Sequence, residues 1–352
     1  MPFLRNAWYV AMWAEQLRPD EPVEQTILGQ SLVLFRGSQG EPIALQNRCP
    51  HRSAPLHLGR ICDGNVIECG YHGLRFDASG ACVGNPHGKG VIPIAAKIRS
   101  FAAIEKYSLV WVWMGDEDAV ERLLPDLSLM DHASPRDVTF RDRLEMDAHY
   151  ELVVDNLLDL SHTGFLHRGV LGGRDTVQAE IKVTQEGDRI TVARSMPSVQ
   201  IPGLFDAMFP RDSGVVDLWA EITWQAPCTL VIDSGVTSPG ASRDEGTGIF
   251  GLHLLTPVDD RKTVYHFAAV RHHPFPFPEE IRLDLMEKLR VQRRAAFETE
   301  DEPMIEAQQR MLDRSGPVRP VLLEVDAASV RYRRVLQKLL DAETTDSMNE
   351  AK

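Results

Sequence analysis

Two short pairs of cysteine and histidine constrain this chain more than any other feature. One residue separates Cys49 from His51, two separate Cys69 from His72, and seventeen lie between the two pairs. Two loops that face each other can bring such pairs together, so that two thiolates and two imidazoles meet. This ligand set suits a tetrahedral zinc ion, or a [2Fe–2S] cluster in which two histidines replace two cysteines on one iron. The pattern therefore predicts a metal site built from two loops.

The sequence around these pairs is typical of a small all-β domain. From residue 26 to 113, short apolar segments such as QSLVLFR and SLVWVWM alternate with turns that contain glycine. After Gly115 the sequence becomes acidic and loop-like, which indicates a domain boundary. We therefore expect residues 1–116 to form a β domain that holds the metal site.

The rest of the chain mixes helical and strand patterns. Helical periodicity covers residues 150–162, 279–313 and 327–342, and alternating strand patterns lie between the first two of these segments. The sequence thus predicts an α+β fold, with a second domain over residues 117–341. The polar tail, residues 342–352, is expected to be disordered.

Charge and composition argue against several classes of protein. The formal net charge of −13 disfavours nucleic acid as the main partner, because phosphate binding needs clustered basic residues. Five cysteines are an odd number, which argues against a disulfide framework. No apolar run approaches the roughly 20 residues of a membrane-spanning helix, and the first residues lack a signal-peptide pattern. We expect a cytoplasmic protein.

A second group of polar residues lies in the otherwise apolar segment NLLDLSHTGFLH. On a helix, Asn156, Asp159 and His162 share one side. His167 would point away from His162 on a continuous helix, and a break near Gly164 would let the two imidazoles converge. The alternative is two unrelated histidines at a helix end.

The segment AAFETEDEPMIEAQ offers a third ligand. Asp301 lies in an apolar stripe that begins at Phe297, where a carboxylate needs a cation. Two histidines and one carboxylate form the facial triad of non-haem Fe(II) oxygenases. Glu300 and Glu302 remain alternative ligands, because Pro303 can kink the helix or mark its start. Asp301 can also be interpreted as a solvated acid of a first helical turn.

Taken together, these motifs resemble the oxygenase component of the Rieske non-haem iron oxygenases. The resemblance rests on CPHR and CGYHG, on the N-x-x-D-x-x-H-x₄-H arrangement, and on the closing EDEPMIEAQQ. The length and the opening FLRNAWYVA look like the vanillate O-demethylase branch of aromatic monooxygenases. The resemblance covers nearly the whole chain and implies a Rieske domain followed by an α+β helix-grip catalytic domain.

The resemblance also assigns a role to each motif. It implies that one iron of a [2Fe–2S] cluster is held by Cys49 and Cys69 and the outer iron by His51 and His72. It implies that a mononuclear Fe(II) is held by His162, His167 and Asp301. Asn156 and Asp159 would belong to the catalytic centre of a homotrimer, with Asp159 bridging His162 and the partner subunit's His72.

The reaction implied by the resemblance uses O₂ and two electrons from NADH, delivered by a separate reductase that carries flavin and a [2Fe–2S] centre. We expect hydroxylation of an aryl-methoxy carbon, which O-demethylates a vanillate-like methoxybenzoate and releases formaldehyde. Hydroxylation of an aryl-methyl group, as in a toluenesulfonate, is an alternative. A Rieske protein that only transfers electrons is a more remote one.

Several residues are candidates for the substrate pocket. Ile232, His266 and Gln292 are expected in its wall, with His266 turned inward by its alternation with Tyr265 and Phe267 along a strand. The apolar residues between 201 and 209 can line the pocket, the core or a trimer interface.

A local basic patch surrounds the first metal site. It consists of Arg48, Arg52, Arg60 and Arg75. These side chains can steer an acidic reductase to the cluster, or they can hydrogen-bond within the domain.

Overall fold

The protein is described by a computed structural model that covers residues 2–133, 137–139, 141–171, 174–209, 214–273, 277–316 and 319–350, with backbone only for 174–175 and 346–350. Two compact units divide the chain. The first comprises Met1–Asp126 and Thr256–Asp259, and the second comprises Leu127–Leu255 and Asp260–Lys352.

The first unit extends past residue 116, where the sequence predicted the boundary. The indole Nε1 of Trp113 donates a hydrogen bond to the Glu117 carbonyl (2.9 Å), and that of Trp8 donates to the Val120 carbonyl (3.1 Å). The acidic segment is therefore tied to the β domain by buried tryptophans. The distant residues 256–259 join this unit because the Leu28 amide donates to the Pro257 carbonyl (2.8 Å).

Antiparallel strands form the first unit, as the all-β pattern predicted. They are β1 (Trp8–Trp13), β2 (Val23–Ile27), β3 (Gln30–Arg36), β4 (Pro42–Gln46), β5 (Arg60–Cys62), β6 (Val66–Glu68), β7 (Arg75–Asp77), β8 (Cys82–Gly84), β9 (Ser100–Phe101), β10 (Ala103–Lys106) and β11 (Leu109–Trp113). Among the described residues they make three sheets, in the orders β1-β11-β10, β2-β3-β4-β9 and β5-β6-β7-β8. β1 and β11 are buried along their whole length.

The second unit combines helices with one large antiparallel sheet. Its elements are α1 (Leu129–His132), β12 (Asp142–Met146), α2 (Tyr150–Leu158), α3 (Arg174–Gln178), β13 (Ile181–Glu186), β14 (Arg189–Gln200), α4 (Gly203–Asp206), β15 (Val215–Gln225), β16 (Thr229–Thr237), β17 (Thr247–Asp259), β18 (Lys262–His272), α5 (Glu279–Ala295), α6 (Glu302–Ser315) and α7 (Ala327–Glu350). The last four residues of β17, Thr256–Asp259, belong to the first unit. The sheet order is β12-β18-β17-β16-β15-β14-β13 in the described part of the chain. The predicted α+β architecture is confirmed.

The predicted helix over 279–313 is interrupted in its middle. Between α5 and α6 the chain forms a π-helix over Ala296–Asp301, and Pro303 lies in the first turn of α6. Proline is tolerated there because the first amides of a helix have no partner within it. Pro303 therefore marks a helix start, one of the two alternatives that the sequence allowed.

The expected disordered tail is helical in its backbone, since α7 continues to Glu350. Residues 342–350 contain neither glycine nor proline, the residues that most often end a helix. Residues 351–352 of the predicted tail lie outside the described residues. In the described residues, no helix combines the length and the apolar character needed to cross a membrane.

Strand alternation in the large sheet defines which side chains share a face. Pairing aligns Ile222 of β15 with Ile232 of β16, and Ile232 with Gly251 of β17. Residues two apart along each strand point to the same side. The face that carries these residues forms one wall of the cavity described below.

Candidate active site and metal centres

The two loops that carry the cysteine and histidine pairs have the same backbone hydrogen bonds. In the first, the Cys49 amide donates to the Ala54 carbonyl and its carbonyl accepts from the Ser53 amide, both at 2.9 Å. In the second, the Cys69 amide donates to the Leu74 carbonyl (2.8 Å) and its carbonyl accepts from the Gly73 amide (2.9 Å). This shared geometry makes each loop a tight turn that presents its cysteine and histidine together.

The loops bring their two cysteines together and their two histidines together. Cys49 and Cys69 are each only 2% exposed, and the rings of His51 and His72 lie with centroids 4.5 Å apart near the surface. Burial, together with the adjacent Cys69 thiol, raises the pKa of Cys49 to about 11, so that a metal is needed to hold it as a thiolate. Two inner sulfurs and two outer nitrogens fit a [2Fe–2S] cluster with its histidine iron at the surface.

Helix α2 ends before the first histidine of the second site, earlier than the sequence predicted. The last helical residue is Leu158, and Asp159 leaves the helical conformation with φ −89° and ψ 92°. The Asp159 Oδ1 atom accepts hydrogen bonds from the Ser161 amide (2.8 Å) and hydroxyl (2.5 Å). Such a side-chain turn competes with helical hydrogen bonds, so the break lies at Asp159 and not near Gly164.

The break brings the two histidines together. After it, residues 162–164 form a single 3₁₀ turn. The Nε2 atoms of His162 and His167 are 3.2 Å apart, and the Oδ1 atom of Asp301 lies 3.5 Å from the first and 3.1 Å from the second. These three ligand atoms form a group that can hold a metal ion, as the sequence predicted for this triad.

Each imidazole of this group is oriented through its other nitrogen. His162 Nδ1 donates to the carbonyl of Asp159, and His167 Nδ1 donates to the Glu300 carboxylate at 2.6 Å. Both Nε2 atoms are thereby directed towards Asp301. Glu300 was a weaker ligand candidate in the sequence. It contacts the Nδ1 atom of His167, on the side of the ring away from the ligand group, and so acts on the metal only through that histidine.

The π-helix positions two consecutive acids around one ring. Glu300 contacts His167 at Nδ1, and the next residue, Asp301, contacts it at Nε2. Asn156 supports this arrangement, since its Nδ2 atom donates to Asp301 Oδ1 at 2.9 Å. Glu302 begins α6 and has no place in the ligand group.

The two histidines differ in their electrostatic environment. Burial lowers the pKa of His162 and outweighs the nearby Asp301. Burial also opposes protonation of His167, but the carboxylates of Asp301 and Glu300 outweigh it and raise the pKa of His167. The carboxylates therefore favour positive charge at this position, which a metal ion supplies.

A cavity of about 120 Å³ adjoins the three ligand residues. Its wall is mostly aliphatic and aromatic, and it includes Leu157, Leu160, Val170, Leu171, Leu204, Ile222, Ile232, Ile249, Ala269, Leu289 and Phe297. Two of the predicted wall residues, Ile232 and Gln292, belong to it. This volume is of the same order as that of an apolar cavity of about 150 Å³ that binds benzene, so the cavity is comparable in size to one aromatic ring.

His266 is not part of this wall, which corrects the alternation predicted for β18. Ala269 faces the cavity, and Tyr265 and Phe267 share its side of the strand. His266 is 1% exposed and lies on the opposite face of β18. A strand pattern predicts which residues share a face, but the period of two does not say which face meets the cavity.

His253 of β17, which no sequence pattern singled out, also lines the cavity. Its Nδ1 atom is hydrogen-bonded to the Tyr265 hydroxyl, and the two rings are stacked with centroids 5.9 Å apart. Burial lowers the pKa of His253 to about 3, so the ring is neutral. The alternating segment GIFGLHLL carried the signal, since His253 lies in phase with Gly251 and Ile249.

The residues between 201 and 209 divide between two of the expected roles. Leu204 lines the cavity, whereas Phe205, Met208 and Phe209 are buried in a hydrophobic cluster with residues of α5. Most of this segment is therefore core.

Three of the four arginines near the cluster loops bond within the first unit. Arg60 and Arg75 both pair with Glu68, at 2.5 and 2.8 Å, and Arg48 donates to the Ser53 hydroxyl (3.0 Å). The Arg75 hydrogen bond, with the charge of both arginines, lowers the pKa of Glu68. For these three the structure favours the intradomain role.

Comparison with known families agrees with both sites. Residues 7–102 match the Rieske [2Fe-2S] domain, and residues 146–342 match the vanillate O-demethylase oxygenase C-terminal domain. The first match contains all four cluster candidates, and the second contains the triad of His162, His167 and Asp301.

Similar proteins align along nearly the whole chain. The oxygenase component of chloroacetanilide N-alkylformylase from Rhizorhabdus wittichii is 37% identical over 97% of this chain and 97% of its own. The oxygenase component of dicamba O-demethylase from Stenotrophomonas maltophilia is 34% identical over 96% of this chain and 98% of its own. A crystal structure of dicamba monooxygenase bound to 3,6-dichlorosalicylic acid has a TM-score of 0.88 at 31% identity, covering 99% of each chain.

Proposed function

Because this chain belongs to the Rieske non-haem iron oxygenases of the vanillate O-demethylase type, we propose that it O-demethylates an aromatic methyl ether. It is an oxidoreductase whose cofactors are a [2Fe–2S] cluster and a mononuclear iron. The reaction consumes the ether, O₂, NADH and a proton, and it yields a phenol, formaldehyde, water and NAD⁺. The substrate that the sequence predicted, a vanillate-like methoxybenzoate, is part of this proposal.

The position of the triad in the wall of a ring-sized cavity carries this proposal. The cavity includes His162, His167 and Asp301 among its lining residues, so that a bound ring reaches the metal ligands directly. When bound, the iron supplies the activation of O₂ while the Rieske cluster supplies electrons. The apolar remainder of the wall excludes water from the reacting carbon.

The chain's own residues hold this site in place. Asn156 fixes Asp301 through a hydrogen bond, and Glu300 and the Asp159 carbonyl fix the two imidazoles. Such outer contacts set the orientation and basicity of metal ligands. They keep the two Nε2 atoms and one carboxylate oxygen on the side that faces the cavity.

We also propose a reductase partner and a homotrimer. The relatives named as oxygenase components support a separate reductase. In the trimer, Asp159 would connect His162 to the partner subunit's His72. Among the described residues, the hydrogen bonds to the Asp159 carboxylate go to Oδ1, which is compatible with a bridge through Oδ2. The cytoplasmic location stays a prediction.

Reconstitution with a reductase tests the proposed reaction. The full chain, loaded with iron and supplied with NADH and a matching flavin reductase, is incubated with a panel of methoxyarenes. We expect formaldehyde and phenol in equal amounts, with one NADH oxidised per formaldehyde, and three irons per chain. Formation of a benzyl alcohol from an aryl-methyl compound, without formaldehyde from any ether, would favour the alternative methyl hydroxylation. Two irons per chain would contradict a mononuclear site.

A further inference from the structure

A buried arginine contacts the chain segment that carries the first ligand of the mononuclear site. We propose that Arg194 of β14 is a positioning residue for this site: it fixes the turn between Asp159 and His162, and so the direction of the His162 imidazole. The inference extends the metal site of the proposed function to a residue outside the ligand group. It holds whichever substrate the cavity accepts.

The position of Arg194 in β14 is unusual for a cation. Ile190, Val192 and Met196 alternate along this strand with more exposed residues and are at most 3% exposed, and Arg194 lies in the same row at 3%. A guanidinium in an apolar row loses its hydration, which is costly unless hydrogen bonds or an opposite charge replace the water. Strand packing alone does not explain an arginine here, so its polar contacts must do so.

The hydrogen bonds of Arg194 converge on one short segment. Its Nη1 atom donates to the Leu160 carbonyl at 2.5 Å and to the Thr163 hydroxyl at 3.3 Å. That hydroxyl in turn donates to the Leu160 carbonyl at 2.9 Å. Within the described part of the chain, the buried Nε atom of Arg194 has no hydrogen-bond partner. The guanidinium therefore ties β14 to the turn that follows α2.

The charge of Arg194 strengthens this contact. Burial lowers the pKa of Arg194 to about 10, and the nearby Asp159 carboxylate opposes the shift. The guanidinium therefore stays protonated at neutral pH. A hydrogen bond from a charged donor is about twice as strong as one between neutral groups, so the Leu160 carbonyl is held firmly.

The turn that Arg194 holds controls the direction of the His162 ring. The Nδ1 atom of His162 donates to the Asp159 carbonyl, and the Leu160 carbonyl belongs to the next peptide unit. Helix α2 has ended before this point and the 3₁₀ turn begins only at His162, so Leu160 lies between two helical segments. Because each peptide unit is planar and rigid, a rotation of one displaces its neighbour. Arg194 thus acts on His162 through the backbone.

Proton NMR of the full-length protein, with its cluster in place and Co²⁺ in the mononuclear site, tests this inference. The unpaired electrons of Co²⁺ move the Nδ1–H resonances of its two histidine ligands away from the other protein signals, and the Zn²⁺-loaded protein is the blank. Glu300→Gln identifies the signal of His167, because the Glu300 carboxylate accepts that proton.

The variant Arg194→Met removes the donor and keeps an apolar side chain. We expect the His162 signal to shift and its proton to exchange with solvent at least about threefold faster, because the hydrogen bond that holds the turn is lost. The His167 signal should not change. A general loss of structure would alter both signals.

Metal affinity gives a second readout. We expect Arg194→Met to bind Co²⁺ about tenfold more weakly than the parent protein. Arg194→Lys keeps a charged donor and should bind Co²⁺ at least about threefold more tightly than Arg194→Met. Arg271→Met is the matched control, since Arg271 of β18 is also buried, at 4% exposed, and its ion pair is with Asp137 at 4.0 Å. This control should retain both signals and the parent affinity.

Two results would overturn the inference. One is a folded Arg194→Met protein whose Nδ1–H signals and Co²⁺ affinity equal those of the parent. The other is an equal change of both histidine signals. If Arg194→Met does not fold, Arg194→Lys provides the same test, because its shorter side chain should still shift the His162 signal alone. Neither result depends on formaldehyde release, so failure of O-demethylation and failure of this inference are separate outcomes.

Discussion

Each histidine of the mononuclear site is held through its Nδ1 atom, and the two partners differ in strength. His162 donates to a backbone carbonyl, whereas His167 donates to the carboxylate of Glu300. A hydrogen bond to a charged acceptor is about twice as strong as one between neutral groups. We infer that Glu300 contributes to metal affinity by fixing the tautomer of His167.

Replacing Glu300 by glutamine tests its role. The change removes the charge behind His167 and keeps the size of the side chain. We expect the affinity of the mononuclear site for Co²⁺ to fall about tenfold, as is usual for outer partners of metal-binding histidines, with the Rieske absorption spectrum unchanged. Glu302→Gln is the control, because it removes the same charge two residues away. Equal losses in the two variants would indicate a general charge effect.

Buried histidines away from the metal ligands make stability depend on pH. Burial lowers the pKa of His266 to about 3, below its ordinary value of 6.5. Between these two values the unfolded chain binds a proton that the folded chain does not, so the free energy of unfolding falls as pH decreases from about 6.5.

The matched variant for this effect is His266→Gln, which removes the titrating group. Between pH 6 and 4, we expect the unfolding free energy of this variant to change less steeply with pH than that of the parent protein. The slope should be smaller by up to about 1.4 kcal/mol per pH unit. Denaturant unfolding at several pH values measures both slopes. Parallel curves for the two proteins would show that His266 does not titrate in this way.

At the level of secondary-structure elements, the π-helix between α5 and α6 decides which atoms reach the metal. It places Glu300 and Asp301 on two sides of the same imidazole. An α-helix turns about 100° per residue, and a segment with one residue fewer would rotate Asp301 away from the histidines relative to α5. Single π turns inside α-helices are frequent at functional sites for this reason.

Deleting Thr299 tests the π-helix. The deletion shortens the segment by one residue, which rotates Asp301 by about 100° relative to α5. We expect the variant to keep its circular dichroism and its two cluster irons but to lose the third, mononuclear iron. Thr299→Ala keeps the residue count and removes only the hydroxyl contact with the Ala295 carbonyl, so it should retain three irons. Three irons in the deletion variant would contradict a role for the π-helix.

The end of α2 is the second element that positions ligands. Asp159 closes a side-chain turn with Ser161, and this turn redirects the chain so that His162 and His167 can converge. Helical spacing alone predicted the stripe of Asn156, Asp159 and His162 on one helix. The finished geometry instead has Asn156 in the helix and the other two residues beyond its end.

At the scale of the whole molecule, each unit builds its own metal site from its own residues. The cluster loops belong to the first unit, and the triad and the cavity belong to the second. Two sites of this kind work together only if electrons pass between them, which in the proposed trimer depends on Asp159.

Changing Asp159 to asparagine tests this dependence. The Asn Oδ1 atom can still accept the hydrogen bonds from Ser161, so we expect three irons per chain and an unchanged fold. We expect electron transfer from the reduced cluster to the mononuclear site to slow at least about a hundredfold, measured as cluster reoxidation with substrate and O₂ in single turnover. Reoxidation at the parent rate would contradict the bridge. Ser161→Ala is the control for the turn alone.

Short-range patterns in the sequence predict most of the candidate metal ligands. The spacing of the cysteine and histidine pairs, the resemblance of the motifs and the apolar setting of Asp301 were enough to predict the metal-binding candidates from the sequence alone. They did so because ligand type and local spacing are properties of the chain itself. The all-β first unit and the α+β second unit could be predicted from alternation and periodicity for the same reason.

Tertiary structure decided the remaining features, since each depends on residues that are distant in sequence. Whether His253 or His266 meets the cavity is set by the face of the sheet that packs against α5 and the π-helix, and a period of two is the same for either face. Glu300 became the partner of His167 because a segment more than one hundred residues later folds back onto it. The chain alone determined the chemistry of the ligands, and packing determined which residues line the cavity beside them.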